Sequence, residues 1–318
     1  MQKRALGKTG ISISEIAFGG VEIGMPYGIG VHSSEDMLSE KEAVKLLHQA
    51  VDAGINFFDT ARMYGNSENI MGKAFNDRRD KVVLATKCRH LLDGDGNLPP
   101  DSELRGMIEK SLQESLDALQ TDHVDIFMLH QANLQILENE TIAAVFNELK
   151  NQGICRATGV STYAIEETEK AMDKGGWDMI QLPFNMMDQR QGALFQKAYQ
   201  RGVGIVVRSV LLKGLLSDRG KSLHPALKEV ENHIARYDDI TLGTDMNLPA
   251  LATKFALSFP EISAVLVGID RKEYLEETLK TANGDYLDLV TFNKAKELAY
   301  PDPAFINLPY WDKMNWLR

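Results

Sequence analysis

Four residue types that can move or steer a proton stand at the ends of short apolar runs in this 318-residue chain. The run Ile55-Asn56-Phe57-Phe58 is closed by D-T-A-R-M-Y-G-N-S-E, which carries Asp59 and, five residues later, Tyr64. Turning the chain explains Gly65, Asn66 and Ser67 but not a carboxylate and a phenol. The run V-V-L-A-T-K ends in Lys87, D-I-F-M-L-H in His130 and A-T-G-V-S in Ser161. A lysine at the end of a buried run needs an anionic partner, and Asp59 is the acid whose register brings it to the same mouth. A phenol beside a cation is expected below its usual value of about 10, because positive charge favours phenolate. Tyr64 then serves as a proton donor near neutrality, with His130 as a second hydrogen-bonding group that orients a carbonyl. Singly, each residue has an ordinary structural use; together at successive strand ends they suit carbonyl reduction.

Such a set requires a scaffold that aims successive strand ends at one point. Eight strand-like runs are expected, at 16–18, 56–59, 82–87, 124–129, 158–161, 179–182, 204–208 and 264–267. Helical spacing fills the intervals: 40–53 opens with the capping box Ser39-x-x-Glu42 and stops at Gly54, and 101–119 places Leu104, Ile108, Leu112, Leu116 and Leu119 on one face. Strand and helix alternating eight times imply an α/β protein, a single (β/α)8 TIM barrel over residues 1–318, whose chemistry belongs at the C-terminal ends of the strands. Three segments depart from the beat. An alternating glycine-flanked stretch at 4–13 reads as an N-terminal hairpin plugging the barrel. A long loop after strand seven, 209–247, contains a helical pattern at 226–237 and reads as a lid or binding loop. The C-terminal tail is rich in proline and aromatics, and no linker divides the chain.

Composition narrows the class. Hydrophobic residues at 44% and charged residues at 25% are those of a folded globular protein. A net charge of −10, with 45 acidic residues against 35 basic ones that are scattered, speaks against nucleic-acid or membrane surfaces as partners. Two cysteines, Cys88 and Cys155, make neither a disulfide framework nor a metal pair, and no metal site is expected. The N-terminus lacks a secretory apolar core, so a cytoplasmic location is expected. The stretch G-Y-G-I-G is no dinucleotide fingerprint, since no strand directly precedes it.

The order Asp, Tyr, Lys, His, in D-T-A-x-x-Y-G-x-S-E, A-T-K, Q-T-D-x-V-D-x-x-x-L-H and G-V-S, closely resembles the aldo-keto reductase superfamily, from Leu6 to about Glu277. The resemblance implies a barrel that binds NAD(P)H in extended form, with Tyr64 as general acid, Lys87 and Asp59 tuning it and His130 positioning the carbonyl. It also implies that Ser161 and Gln181 hold the carboxamide, and that backbone from Gly268 onward takes phosphate at a helix N-terminus. Where many relatives carry Tyr-Ser-Pro after strand seven, this chain has Arg208-Ser209-Val210; a guanidinium plane can take over the stacking on nicotinamide. The usual Asn after the strand-five Ser is Thr162. The 2′-phosphate of NADPH is expected near Asp270, Arg271 and Glu277. A carboxylate about 4 Å from a phosphate costs on the order of 4 kcal/mol per unit charge at a surface-like dielectric, which favours NADH, with Arg271 and Lys272 offsetting it.

A small aldehyde, ketone or sugar is the expected substrate, in a pocket offering Met25, Tyr27, Gln131 and Trp311. The alternative from another class is a cofactor-binding module that senses redox state or regulates a partner, with little turnover.

Overall fold

The computed structural model describes residues 1–317. Two short strands, β1 (Lys3–Ala5) and β2 (Ser12–Ser14), pair antiparallel as the expected hairpin. Eight more follow: β3 (Ile16–Gly19), β4 (Phe57–Asp59), β5 (Val83–Cys88), β6 (Val124–Leu129), β7 (Cys155–Ser161), β8 (Met179–Pro183), β9 (Gly204–Arg208) and β10 (Ile262–Gly268). All pair in parallel, and β10 closes on β3 to complete the barrel. The expected runs all fall on these strands, with ends shifted by up to three residues. Asn56 stays outside β4 because its side chain is held by the hairpin: its Oδ1 accepts from the Ser14 amide at 2.6 Å and its Nδ2 donates to the Ser12 carbonyl at 3.0 Å.

Side chains alternate along each strand between a small inner core and a large outer one. Ala17, Phe57, Ala85, Ile126, Met128, Met179 and Val206 pack inside the barrel together with Leu6, Ile11 and Ile13 of the hairpin segment, so the hairpin plugs the interior. Phe18, Phe58, Leu84, Phe127 and Val207 belong to the outer core shared with the helices. The helix Glu40–Asp52 starts at Ser39, whose side chain accepts from the Glu42 amide while Glu42 reaches back to the Ser39 amide, the expected capping box. The helix Asp101–Leu119 buries Leu104, Ile108, Leu112, Leu116 and Leu119 on one face.

The long segment after β9 is compact. Instead of one helix over 226–237, a 3₁₀ turn Pro225–Leu227 leads into the helix Lys228–Ala235 and a further short helix Asp238–Thr241, with Pro225 occupying the first position, where its missing N–H costs nothing. His233 and Tyr237 both bond the Leu298 carbonyl, tying this segment to the C-terminal part of the chain. No helix among the described residues is long and apolar enough to cross a membrane.

Candidate active site

Period-two alternation decides what reaches the barrel mouth. Phe57 points inward on β4, so Asp59 does too; Ala85 on β5 puts Lys87 inward, and Met179 on β8 does the same for Gln181. The result is a dry polar cluster. Lys87, with no exposed surface, donates to Asp59 Oδ2 at 2.5 Å, to the Thr60 carbonyl at 3.0 Å and to the Tyr64 hydroxyl at 3.4 Å. Gln181 Nε2 donates to the other Asp59 oxygen, Oδ1, at 2.9 Å. Asp59 therefore spends both oxygens on buried partners.

Tyr64 is carried by a turn that two glycines interlock with the segment after β3. The Asn66 amide donates to the Gly24 carbonyl at 3.0 Å, and a Cβ on Gly24 would lie 2.0 Å from the Tyr64 carbonyl oxygen. Gly65 sits at φ +54°, where a Cβ would come within 2.3 Å of the Gly24 oxygen. The helix Ser67–Phe75 follows at once, and its buried Glu68 accepts from Thr86 Oγ1 at 2.6 Å and pairs with Arg62. The residues around Tyr64 thus pin the turn to β5 and to the first strand-end loop.

The electrostatics correct one expectation. The Tyr64 phenol is held well above the ordinary tyrosine value, not below it, because burial and the Asp59 carboxylate disfavour phenolate more than Arg208 favours it. Burial likewise pulls Lys87 below the usual lysine value, with Asp59 opposing the shift. His130 packs edge-on against Tyr64, ring centroids 5.2 Å apart. Burial, then Lys87 and His90, push its imidazole down to about 2, so the ring is neutral, and its buried Nδ1 has no protein partner.

The cavity at this mouth, of about 560 Å³, lies within the range of small-molecule and cofactor sites. Asp59, Tyr64, His130, Ser161 and Gln181 line it together with Gly268, Asp270, Glu277, Tyr27, Arg208 and Ser209. Arg208 lies 4.2 Å from the Tyr163 ring centroid and donates to the Thr162 carbonyl at 2.9 Å, so one face of the guanidinium expected to stack on nicotinamide is already taken by Tyr163. Thr162 turns away, its hydroxyl bonding Thr168 at 2.7 Å. Ser209, Leu212 and Lys213 all have positive φ, a run of strained backbone where the long segment leaves β9. Arg271 is not on the wall; it pairs with Asp270 at 3.5 Å and covers Tyr274. Asn247 donates to Glu277.

Three expected substrate residues are elsewhere. Met25 and Gln131 are exposed outside the cavity. Trp311 is completely buried in the tail against Phe305, because the helix Leu308–Lys313 uses it to seal apolar surface. The tail meets the cavity wall through Asp312, paired with Lys213, whose ammonium sits 4.8 Å from the Tyr27 ring centroid. Conversely, Glu22, Tyr163, Lys213 and Arg219 line the cavity without having been singled out from the sequence. Glu22 was within reach of the strand-end rule, being the lone carboxylate three residues past β3; Tyr163 lies two past β7.

A closed parallel barrel with Asp, Tyr, Lys and His gathered at its C-terminal mouth defines an oxidoreductase-type site. The aldo/keto reductase family model matches residues 15–298. The chain belongs to that family, whose members are NAD(P)-dependent oxidoreductases acting on small carbonyl compounds. It is 30% identical to L-galactose dehydrogenase of Arabidopsis thaliana, over 88% of this chain and 87% of that protein. It is 26% identical to the oxidoreductase YqkF of Bacillus subtilis, over 89% and 92%. The holo form of aldo-keto reductase AKR11C1 from Bacillus halodurans superposes with a TM-score of 0.78 at 25% identity, over 94% of this chain and 96% of that one.

The residues present fit a nicotinamide coenzyme. His130 Nδ1 is a buried nitrogen with no protein partner on a residue of the cavity wall, and Ser161, Gln181 and Arg208 add polar groups to the same wall.

Glu22 also makes a stability prediction. Burial first, then Asp270 and Asp59, push its carboxyl from 4.5 up to about 8. The folded value is the raised one, so this contribution is whole below the unfolded value and is lost as pH climbs toward the folded one, at about 1.4 kcal/mol per pH unit. Thermal unfolding of Glu22→Gln is expected to match wild type near pH 4.5 and to exceed it increasingly up to pH 8; a constant difference would contradict a buried neutral carboxyl.

Proposed function

We propose that the protein is a nicotinamide-dependent oxidoreductase that interconverts a small aldehyde, ketone or sugar with the corresponding alcohol, using Tyr64 as general acid and base. The observation that carries this reading is the Tyr64 hydroxyl inside the cavity, 3.4 Å from Lys87 Nζ and edge-on to a neutral imidazole. A bound nicotinamide coenzyme supplies the hydride. Tyr64 keeps its proton at neutral pH and gives it up only as negative charge builds on the substrate oxygen, a far stronger base than phenolate. Lys87 stabilises the phenolate left behind, and Asp59 fixes Lys87 in place. His130, being neutral, donates one hydrogen bond to the same oxygen without protonating it. Ser161, Gln181, Arg208, Ser209, Gly268 and Glu277 are the residues assigned to the coenzyme, with Gln181 offering its carbonyl oxygen because its amide nitrogen bonds Asp59.

A hydroxylated substrate is supported by the polar mouth and by similarity to a protein named L-galactose dehydrogenase. NADH is favoured over NADPH because the Asp270 carboxylate lines the cavity, so that a 2′-phosphate placed beside it would meet like charge.

Tyr64→Phe is expected to lower turnover of aldehydes and sugars by 10²-fold or more while NADH still binds, read from nicotinamide absorbance and fluorescence. Coenzyme binding by the wild type without turnover on any aldehyde, ketone or sugar would favour a sensing module instead. Asp270→Asn is expected to tighten NADPH about tenfold relative to NADH; a wild type that already prefers NADPH would contradict the charge argument.

A further inference from the structure

Arg208, Lys213, Arg219 and Lys221 are the lysines and arginines of the cavity wall. Lys213 is closed by Asp312 and Lys221 by Asp218. Arg219 is spent on the Ile29 carbonyl and the Tyr274 hydroxyl. Arg208 meets neutral groups alone: it donates to the Thr162 carbonyl at 2.9 Å, reaches the Ser209 hydroxyl at 3.4 Å and covers the Tyr163 ring. It forms no salt bridge among the described residues, so its charge is uncompensated.

Strand alternation aims that charge at the reacting groups. Val206, two residues earlier on β9, packs inside the barrel and pairs with Gln181 of β8, so Arg208 emerges at the mouth on the same side of its strand. Tyr64, Lys87 and His130 all feel the guanidinium. The other charges around Tyr64 cancel or are absent. Lys87 and Asp59 form a closed pair whose sum is zero, His130 is neutral, and Glu22, pushed up to about 8, keeps its proton at neutral pH. What remains is one positive charge, that of Arg208.

On the nicotinamide reading of the preceding section, on which this inference rests, hydride passes between the ring and the carbon whose oxygen Tyr64 meets, so the two carbons must come within about 3–3.5 Å. Arg208 therefore acts on a ring whose charge changes in the reaction. The ring is neutral in the reduced coenzyme and positive once the hydride, with its electron pair, has gone to the carbonyl carbon and Tyr64 has given its proton to the oxygen. An uncompensated cation disfavours the positive form. We propose that Arg208 tunes the bound coenzyme, holding its reduced form in preference to its oxidised form and so making the bound oxidised form a stronger hydride acceptor than the free one. The reduction potential of the bound couple is thereby raised. The protonated Tyr64 suits carbonyl reduction, and Arg208 offsets it from the coenzyme side, which brings the two directions of the reaction closer to balance.

The test is the ratio of the dissociation constants of NAD and NADH, titrated by protein fluorescence into wild type, Arg208→Gln and Arg208→Lys; NADP and NADPH take their place if the protein prefers them. The ratio is expected to fall about tenfold in Arg208→Gln, equivalent to about 30 mV for a two-electron couple. It should stay near the wild-type value in Arg208→Lys, which keeps the charge and loses the plane. ADP-ribose, which lacks the ring, should bind all three proteins alike. Arg208→Met carries the same measurement if the glutamine variant does not fold. An unchanged ratio in the neutral variants overturns the assignment. So does a ratio that falls equally in Arg208→Lys, which would make the guanidinium plane rather than its charge the cause, or an ADP-ribose affinity that shifts together with that of NAD. Wild-type protein that binds neither NADH nor NADPH rejects the nicotinamide reading itself and this inference with it.

Discussion

A lysine ammonium with no exposed surface, closed at 2.5 Å by one oxygen of Asp59, is the constraint around which the barrel mouth is built. Removing either partner would strand a buried charge, which typically costs 3–5 kcal/mol, so the pair stands only because the surrounding structure completes it. Thr60 lends a carbonyl, Gln181 lends an amide to the second Asp59 oxygen, and β4 and β5 must keep the register that pairs Asp59 with Ala85. Each element contributes one bond from a different strand end or turn. The same bonds that neutralise the lysine hold it within reach of the Tyr64 hydroxyl, so the cluster's stability and its chemical geometry come from the same contacts.

Burial first, and then the carboxylate of that cluster, explain why Tyr64 sits above rather than below the usual tyrosine value. A lysine alone would favour phenolate. A lysine already closed by a carboxylate presents a dipole, and the carboxylate end, together with desolvation, wins. The site thus keeps the phenol protonated and the neighbouring imidazole neutral, which leaves two neutral hydrogen-bond donors facing the cavity. This is a suitable state for meeting a carbonyl oxygen, and charge would then develop only during reaction.

Much of this arrangement was legible in the residues. Period-two alternation and the punctuation of helices by Gly54 and the Ser39 capping box lead directly to eight parallel strands, and strand-end position leads to Asp59, Lys87, His130 and Ser161, while Gln181 followed only from the family resemblance. What escaped has identifiable causes. Trp311 looked like a pocket aromatic, but nothing in local pattern distinguishes an aromatic that seals a tail from one that lines a cavity. Arg208 meets Tyr163 through a contact 45 residues apart in sequence, which no spacing rule reports. Glu22 escaped because burial of a carboxyl is a three-dimensional fact: the close approach that Gly268 permits is invisible until β3 and β10 are paired. The sign of the Tyr64 shift was misread because the argument counted the lysine and left out first the burial of the phenol and then the effect of Asp59 on it.

The central claim is that Tyr64 is a protonated phenol governed by the Lys87–Asp59 pair. Its most direct test is a pH titration of the protein carrying ¹³C at tyrosine Cζ, with the Tyr64 resonance identified by its loss in Tyr64→Phe. The resonance is expected to remain that of a phenol beyond the pH at which free tyrosine ionises, and to titrate at lower pH in Asp59→Asn. A Tyr64 signal that ionises below the free tyrosine value in the wild-type protein would show that the lysine, not the pair, sets the phenol, and would contradict the account.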